Sequence, residues 1–373
     1  MKVLVLHASA GAGHRRAAEA LAKAFVNANP ATEARIRDIL DFTPALFRKT
    51  YAEGYLDLVR KAPELWGYLY AQSDRQADTP WRRKVRSLFN NLNAVSFFKF
   101  LRDFDPDAVV CTHFMPLQLL SSGTRHGRVR APVFCAVTDF AVHGLWILEN
   151  VACYYVATDE ARRQLIRRGQ PEDRIEVTGI PIDPVFAHGQ RKEDARRALG
   201  LDDKLPAVLL LSGGFGVGPT TELIRSFGQA EPVCRLLVVA GANAQLKRDA
   251  QALAPAVRTP LNVFGFVTHI HVMMDACDLV ITKPGGLTTS EVLAKGKPLV
   301  IVDPIPGQEQ RNCEVVLEAG AAARLFDVDD ACHKVSQLLA DRSRLAQMGR
   351  NARKIGRPDA AGEIVANILA RSG

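Results

Sequence analysis

Short apolar runs alternate with amphipathic stretches along the whole chain. In the first half the runs are VLVLHA, AVVCTH, VFCAVTD and CYYVATD, and in the second half AVLLLS, LLVVAG, NVFGF, DLVIT and PLVIV. Runs of this length rich in Val, Leu and Ile are typical of strands covered on both faces, and the stretches between them have helical patterns. The alternation predicts an α/β protein with two parallel sheets, one in each half.

A chain of 373 residues is long enough for two domains that each bury a core. We expect the division in the charged region 184–204, which gives domains 1–186 and 205–357. The seven cysteines form no Cys-x-x-Cys pair, and several lie inside apolar strands, which indicates a reducing compartment. The chain starts with a strand pattern, and no apolar run reaches the roughly 18 residues of a membrane span. We therefore expect a soluble or peripheral protein made in the cytoplasm.

Two polar turns follow neighbouring strand patterns in the second half. The run DLVIT (278–282) leads into Lys283-Pro284-Gly285-Gly286, and a predicted helix then opens with Thr288 and carries Glu291 in its first turn. Glycines admit a ligand to the backbone, the N–H groups of a helix start suit an anion, and a carboxylate can bind a ribose diol. The run PLVIVD ends in the turn 306–309. Ligands bind at this edge of open parallel sheets, so we predict a nucleotide-sugar pocket.

A second glycine-rich turn follows the run AVLLLS. It reads SGGFGVGP (212–219), and its four glycines predict a nest of backbone N–H groups for a diphosphate: Gly213, Gly214, Gly216 and Gly218. No Gly-Lys-Ser/Thr follows, so the turn is not a P-loop. It also lacks the Gly-x-Gly-x-x-Gly pattern, and no acidic residue ends the next strand, which argues against a nicotinamide dehydrogenase.

The amino-terminal strand pattern KVLVLHA leads into a glycine-containing turn that ends in Gly13 and His14. A helical pattern follows at 17–26. The helix dipole disfavours protonation of a histidine at this position, so His14 should be neutral near pH 7 and able to accept a proton. We predict a general base; the alternative is a solvated loop histidine.

Another group of polar and aromatic residues follows the run VFCAVTD. Asp139 can orient an imidazole, and Trp146 can line an acceptor entrance. His143 and His113 can bind a metal, but their places at strand ends suit structural hydrogen bonds equally well. No Asp-x-Asp stands at a strand end near the pocket, so we predict no metal site.

The stretch 42–102 is basic and aromatic. It has eleven Lys/Arg against five Asp/Glu and twelve of the 26 aromatic residues, among them Trp66 and Trp81. Such a segment suits an anionic bilayer surface, where each basic residue contributes roughly 1 kcal/mol. The alternative is a helical insertion whose aromatic side chains fill a core. The chain has a net charge of +8 but no nucleic-acid-binding module, so nucleic acid is not an expected partner.

Seven segments together resemble the monogalactosyldiacylglycerol synthase family. They are SAGAGHRRAAEAL, PELWGYLY, TDFAVHGLW, VTGIPIDPVF, SGGFGVGP, TKPGG and PGQEQRN. The relatives of that family are the processive diacylglycerol glucosyltransferases and, more distantly, a peptidoglycan glycosyltransferase. The resemblance implies a GT-B fold, in which two Rossmann-like domains face a central cleft and the last helix, within 358–373, crosses back to the first domain. It also implies inverting hexose transfer from UDP-glucose or UDP-galactose to diacylglycerol. From the basic segment and the lack of a metal motif we expect this transfer at the inner membrane face and without a required cofactor.

The resemblance also assigns residues. It makes His14 the base, the four glycines of the 213–218 loop the diphosphate site and Glu291 the ribose ligand. Gln308 and Glu309 then face the donor sugar, and Phe266 and Val267 lie where uracil meets the backbone. The plant enzymes have more glycines at the segment that reads Ala10-Gly11-Ala12-Gly13 here. That departure leaves the choice between glucose and galactose open.

Three other functions remain open. The chain could act on a polyprenyl-linked peptidoglycan precursor, although the 42–102 segment and the Lys-Pro-Gly-Gly turn argue against it. A UDP-sugar 2-epimerase shares the two-sheet architecture but needs catalytic carboxylates at the anomeric carbon. A non-catalytic membrane-bound UDP-sugar sensor would have no use for a base such as His14.

Overall fold

The computed structural model describes residues 1–9, 12–44, 62–75, 94–201, 204–213, 218–228 and 231–372. The chain forms two compact units. Unit 1 contains Met1–Pro184, Ile305–Arg311 and Asp359–Gly373, and unit 2 contains Val185–Pro304 and Asn312–Pro358. From the sequence we placed the division between 186 and 205 and returned only the last segment to the first domain. In the structure the short turn 305–311 also belongs to unit 1.

Unit 1 is built around a sheet of six parallel strands. The strands are β1 Lys2–His7, β2 Glu33–Asp38, β3 Ala108–Cys111, β4 Val133–Ala136, β5 Cys153–Val156 and β6 Ile175–Val177. Its described α-helices are α1 Ala12–Ala28, α2 Pro63–Arg75, α3 Ala94–Phe104, α4 Phe114–Arg125 and α5 Asp159–Arg167, together with the final helix Ala360–Ser372. The strand order is β2-β1-β3-β4-β5-β6. The order reverses between β1 and β3, and this reversal creates a switch point at the carboxyl edge.

Both faces of the unit 1 sheet are covered, as the continuous apolar runs predicted. On one face, Val3 and Val5 of β1 pack with Phe25 of α1 and with the apolar side of the final helix. On the other face, Leu4 and Leu6 pack in a cluster formed by α3, α4 and Trp146. Successive side chains of a strand point to opposite faces, so β1 must be apolar at every position between the two layers.

Unit 2 repeats this architecture. Its strands are β7 Ala207–Leu211, β8 Arg235–Val239, β9 Leu261–Phe264, β10 Leu279–Thr282, β11 Leu299–Ile301 and β12 Ala322–Arg324. Its helices in the described ranges are α6 Lys192–Ala198, α7 Thr220–Ser226, α8 Ala244–Ala252, α9 Ile270–Ala276, α10 Gly286–Ala294, α11 Gln308–Glu318 (which begins in unit 1), α12 Ala331–Ala340 and α13 Arg342–Ile355, and α14 denotes the final helix of unit 1. The strand order is β12-β11-β10-β7-β8-β9, with every pair parallel. The switch point lies between β7 and β10.

The prediction of an α/β protein with two parallel sheets is confirmed. In unit 2, Val208 and Leu210 of β7 pack against α7 and against the neighbouring strands β8 and β10. All seven cysteines are free thiols, and six of them are buried. Among the helices that the structure describes, none is both long and apolar enough to cross a membrane.

Candidate active site

His14 lies in the first turn of α1, directly above the β1/β3 switch point of unit 1. Its Nδ1 is 2.8 Å from the carbonyl oxygen of Thr112 and 2.9 Å from the hydroxyl oxygen of Thr138. Thr112 follows β3 and Thr138 follows β4, so three strand ends converge on one imidazole. The Thr112 hydroxyl also donates to the carbonyl oxygen of His14 at 2.8 Å. These contacts fix both the backbone and the ring of His14.

The contact with the Thr112 carbonyl decides which ring nitrogen of His14 carries the proton. A carbonyl oxygen can only accept a hydrogen bond, so Nδ1 must donate, and the Thr138 hydroxyl shares that proton as a second acceptor. In the neutral ring the lone pair is then on Nε2. His14 is therefore held as the tautomer that can accept a proton through Nε2.

The surroundings of His14 keep it neutral. The ring of His113 lies 4.5 Å from it, centroid to centroid, and the ring of Trp146 lies 6.4 Å away. Burial among these groups lowers the pKa of His14 to about 4, against the opposing effect of the hydrogen bond to Thr112, and nearby His7 lowers it further. Burial likewise holds the pKa of His113 well below its ordinary value. The sequence predicted a neutral His14 from the helix dipole; in the structure burial is the main cause that lowers its pKa.

His143 is held by structural hydrogen bonds. Its Nδ1 accepts from the backbone N–H of Leu145 at 3.1 Å, and its Nε2 donates to the carbonyl oxygen of Tyr70 at 2.9 Å. Both ring nitrogens are thus bonded to the protein. In the described ranges, no group of three or more His, Cys, Asp or Glu side chains is arranged to hold a metal ion.

The structure gives buried contacts for Asp139 and Trp146, the residues predicted to orient an imidazole and to line the acceptor entrance. Trp146 is 2% exposed and belongs to the core cluster, with its ring 6.1 Å from that of Phe114. The carboxylate of buried Asp139 accepts a hydrogen bond of 2.6 Å from Nε2 of Gln308. The role of Asp139 in orienting an imidazole therefore stays a prediction, because the hydrogen bonds to Nδ1 of His14 come from Thr112 and Thr138.

Gly13 stands beside His14 in the first turn of α1 and is partly buried.

The switch point of unit 2 carries glycine turns at the ends of β7 and β10. Thr282 at the end of β10 pairs with Leu211 at the end of β7, so the two turns start side by side. Gly213 has φ +71° and Gly218 has φ +147°, backbone conformations that favour glycine. Gly214 and Gly216 lie outside the described residues. The diphosphate nest predicted for this loop stays a prediction.

Lys283 connects the two turns. Its ammonium lies 2.7 Å from the carboxylate of Asp303, which follows β11, and a Cβ placed on Gly218 would be 3.2 Å from its Cε. The amide of Asn312 donates to the carbonyl oxygen of Pro284 at 3.0 Å and so holds the Lys-Pro-Gly-Gly turn in place. Asn312 and Asp303 were not predicted to act here, because their contacts depend on how β10 and β11 pair.

Helix α10 begins two residues earlier than expected. It starts at Gly286, with Gly285 as its N-cap, so Glu291 lies in the second turn and not in the first as the sequence suggested. Glu291 is 2% exposed, and Thr288 in the first turn is half-buried. The hydroxyl of Thr289 is buried without a hydrogen-bond partner among the described residues. Burying a hydroxyl without a hydrogen bond costs free energy, and a ligand that supplied a partner would remove this cost.

The remaining predicted donor residues lie on a loop and at the start of a helix. Phe266 and Val267 follow the end of β9 at Phe264, and Phe266 is 77% exposed. Gln308 and Glu309 open α11, where Glu309 accepts from the backbone N–H of Ile305 at 3.0 Å. These residues stay predicted donor contacts.

The predicted membrane segment is described only in part. Within 42–102 the structure describes 42–44, α2 at 62–75 and the residues from 94 onward. Trp66 lies in α2, but its side chain is outside the described residues, as is all of Trp81. The placement of these aromatic residues at a membrane therefore stays a prediction.

Two parallel six-stranded sheets, each with polar turns at its switch point, have the architecture of the GT-B glycosyltransferases. The chain is similar over 99% of its length to the crystal structure of Acinetobacter baumannii MurG, at a TM-score of 0.65 and 17% identity, covering 99% of that chain. It is also similar to a Neisseria meningitidis UDP-GlcNAc 2-epimerase bound to UDP-GlcNAc, at a TM-score of 0.61 and 15% identity, over 99% of this chain and 100% of that one. At these identities the likeness shows the fold alone, and it confirms the predicted fold class.

Sequence comparison identifies the family. The family model of monogalactosyldiacylglycerol synthase matches residues 14–182, and that of group 1 glycosyl transferases matches residues 192–355. A processive diacylglycerol β-glucosyltransferase of Bacillus cereus is 31% identical over 100% of this chain and 94% of its own, and one of Bacillus anthracis is 30% identical over the same shares. The chain belongs to the monogalactosyldiacylglycerol synthase family of glycosyltransferases.

Proposed function

We propose that this protein transfers a hexose from UDP-glucose or UDP-galactose to the free hydroxyl of diacylglycerol, with inversion at the anomeric carbon. The observation that carries the proposal is the state of His14, a neutral imidazole at a sheet switch point with its Nε2 lone pair fixed in direction. The names of the relatives at 30–31% identity support diacylglycerol as the acceptor. Anabaena HepE in complex with UDP-glucose, at a TM-score of 0.57, supports a fold able to hold such a donor.

The proposed reaction is a direct displacement. Nε2 of His14 takes the proton of the acceptor hydroxyl as its oxygen attacks the anomeric carbon. The bond from that carbon to the β-phosphate oxygen breaks, and UDP leaves with the bonding electron pair. General-base assistance of this kind contributes roughly 10²–10⁴ in rate. The Thr112 carbonyl bonds to Nδ1–H and stabilises the imidazolium that forms.

In this proposal the charge on departing UDP is stabilised by protein groups. Lys283, the glycine turns after β7 and β10 and the start of α10 supply an ammonium and backbone N–H groups. Glu291 binds the ribose, Phe266 and Val267 the uracil, and Gln308 with Glu309 the hexose. The reaction then requires no metal, and a chelator added to the purified enzyme should leave the rate unchanged. A chelator-sensitive rate restored by Mg²⁺ or Mn²⁺ would contradict this part.

We also propose that the protein works at the inner face of the membrane. Basic residues of 42–102 are expected to attract anionic lipid, and aromatic residues such as Trp66 and Trp81 to enter the interface. Electrostatic attraction weakens as the Debye length falls from about 10 Å at 0.1 M salt to about 3 Å at 1 M, whereas aromatic burial does not. Binding to phosphatidylglycerol vesicles should fall sharply with salt and keep a residual part.

Charge reversal at Arg82, Arg83 and Lys84 should remove most of the salt-sensitive binding and leave activity on detergent-dispersed diacylglycerol largely intact. These three residues lie outside the described part of the chain. Equal binding to neutral and anionic vesicles, or binding to neither, would mean that the segment fills a core.

One assay tests the proposed reaction. Purified protein is incubated with labelled UDP-glucose or UDP-galactose and diacylglycerol vesicles, with a polyprenyl-linked peptidoglycan precursor in a parallel reaction. Glycolipid with an inverted anomeric centre is the expected product. Transfer only to the polyprenyl acceptor, interconversion of the UDP-sugar itself, or binding without turnover would each replace the proposal with one of its three alternatives.

A further inference from the structure

The turn 305–311 carries the two residues proposed to read the donor sugar, yet it packs on helix α2 of unit 1. The contact is close at two glycines. A Cβ added to Gly67 of α2 would lie 2.7 Å from the Cβ of Pro306, and one added to Gly307 would lie 2.6 Å from the ring of Tyr70. Real Cβ atoms do not approach so closely, so both glycines are required by this packing. Helix α2 and the turn therefore form one packed body.

Asp74, near the end of α2, forms hydrogen bonds that join this helix to the 305–311 turn. Its carboxylate is 6% exposed and accepts from Arg311 of the turn at 2.8 Å, from Arg168 at 2.9 Å and from the backbone N–H of Gly144 at 2.8 Å. Burial raises the pKa of Asp74, but the hydrogen bond from Arg311, with the effects of His143, Gly144 and Arg168, outweighs it and leaves the pKa below its ordinary value. Charge-assisted hydrogen bonds in a buried site are the strong ones. Asp74 is therefore ionised and holds Arg311 in one place.

Gln308 of the same turn has a second anchor. Its Nε2 donates to Asp139 at 2.6 Å, which fixes the amide so that Oε1 faces away from that carboxylate. An amide has distinct donor and acceptor ends, so its orientation decides which hydroxyl geometry it can accept from. Hexoses that differ at a single hydroxyl are told apart by such directed hydrogen bonds.

We propose that Asp74 is a positioning residue that sets donor-sugar preference: through Arg311 it holds the 305–311 turn so that Gln308 and Glu309 meet the hexose in one orientation. This inference rests on the proposed function. Asp74 touches neither substrate in this scheme. It acts through the turn, and Asp139 restricts the Gln308 amide that the turn presents.

The two arginines that share Asp74 supply a matched pair of variants. Arg311→Gln releases the turn from the carboxylate, whereas Arg168→Gln removes the other guanidinium and leaves the turn bonded. Affinities for UDP, UDP-glucose and UDP-galactose are measured by calorimetry for both variants and for the wild type, with transfer rates alongside. In Arg311→Gln and Asp74→Asn the preference between the two UDP-hexoses should fall about tenfold, a typical effect of one directed contact. UDP affinity should not change, and Arg168→Gln should keep the wild-type preference.

Melting curves distinguish a variant that does not fold from a folded variant in which the 305–311 turn is displaced. Arg311→Gln leaves Asp74 with the bonds from Arg168 and Gly144, so this variant should fold even if Asp74→Asn does not, and Arg311→Lys should recover part of the preference. Wild-type preference in folded Arg311→Gln, or an equal loss in Arg168→Gln, would overturn the inference. So would equal wild-type affinity for UDP and for both UDP-hexoses. Because binding is the readout, a wild type that binds UDP-hexoses but does not glycosylate diacylglycerol would refute the proposed function while still testing Asp74.

Discussion

The two sheets share one topology, but their switch points have different chemistry. Above β1 and β3 of unit 1, the His14 ring is fixed by a backbone carbonyl and a hydroxyl. Above β7 and β10 of unit 2, Gly218 with its positive φ lies beside a Lys283–Asp303 ion pair in which the Asp303 side chain is 59% exposed. Thr289, in the helix that follows, has a buried hydroxyl without a partner among the described residues.

This difference fits the two tasks of a transferase. A general base must lie within hydrogen-bond distance of the acceptor hydroxyl, with its lone pair directed at the proton. The protein therefore fixes the orientation of the base before the substrates bind. In a site for a charged leaving group, a charged side chain can instead leave its ion-pair partner in the protein and bind the ligand. Breaking the pair costs little, because an exposed ion pair contributes little to stability. We therefore expect changes at the unit 1 switch point to affect rate, and changes at the unit 2 switch point to affect donor affinity.

The largest expected effect is that of His14→Ala. Turnover should fall at least about a hundredfold because the base is lost, while UDP-sugar affinity should change little. Steady-state kinetics and calorimetry on the same preparation measure both. His126→Ala, which removes an exposed histidine of unit 1, is the control and should behave as wild type. Near-normal turnover of His14→Ala would remove His14 from the mechanism.

Glu291→Ala should show the opposite pattern. If Glu291 binds the ribose diol, UDP affinity should weaken by about 1–3 kcal/mol, the usual loss for a charged hydrogen-bond partner. Calorimetry with UDP alone measures this, and a melting curve shows that the buried site has kept its fold. Exposed Glu222 provides the control variant Glu222→Ala, for which no change is expected. Unchanged UDP affinity in Glu291→Ala would mean that this carboxylate does not contact the nucleotide.

Substitutions of the two members of the Lys283–Asp303 ion pair are predicted to change UDP affinity in opposite directions. If Lys283 leaves Asp303 for the diphosphate, Lys283→Met should weaken UDP binding about tenfold or more. Asp303→Asn should strengthen UDP binding by about two- to fivefold, since the competing partner of a partly exposed ion pair is gone. Asn tolerates the left-handed backbone of Asp303, which has φ +40°. Weaker UDP binding in both variants would mean that the pair is structural.

The smallest expected effect is on the pH dependence of kcat/KM. With the pKa of His14 lowered to about 4, the imidazole stays neutral at pH 5.5 and activity there should be nearly full. A base with an ordinary pKa of about 6.5 would leave only about a tenth of the full activity at pH 5.5. The unfolded chain binds the His14 proton below about pH 6.5 and the folded chain only below about 4, so the contribution of His14 to stability rises with pH across that interval. A half-maximum of kcat/KM near 6.5 would contradict the burial of His14.

Local features of both switch points could be predicted from the sequence. The apolar runs located strands such as β10, and the glycines marked the turns that follow β7 and β10. The partners of His14 could not be predicted, because Thr112 and Thr138 are 98 and 124 residues away and meet it only through the strand order. Asp74 is 237 residues from Arg311, and no local pattern indicates that contact. The start of α10 was misplaced because Gly285 and Gly286 read as a turn, although Gly286 is already helical.

The proposed role of His14 as the base depends on its tautomer, which nitrogen-15 NMR of histidine-labelled protein reads directly, with His14→Ala to assign the signals. We predict a proton on Nδ1 and none on Nε2 at pH 7, with titration near 4. A proton on Nε2 at neutral pH, or titration near 6.5, would contradict the claim that unit 1 holds a base prepared to receive a proton.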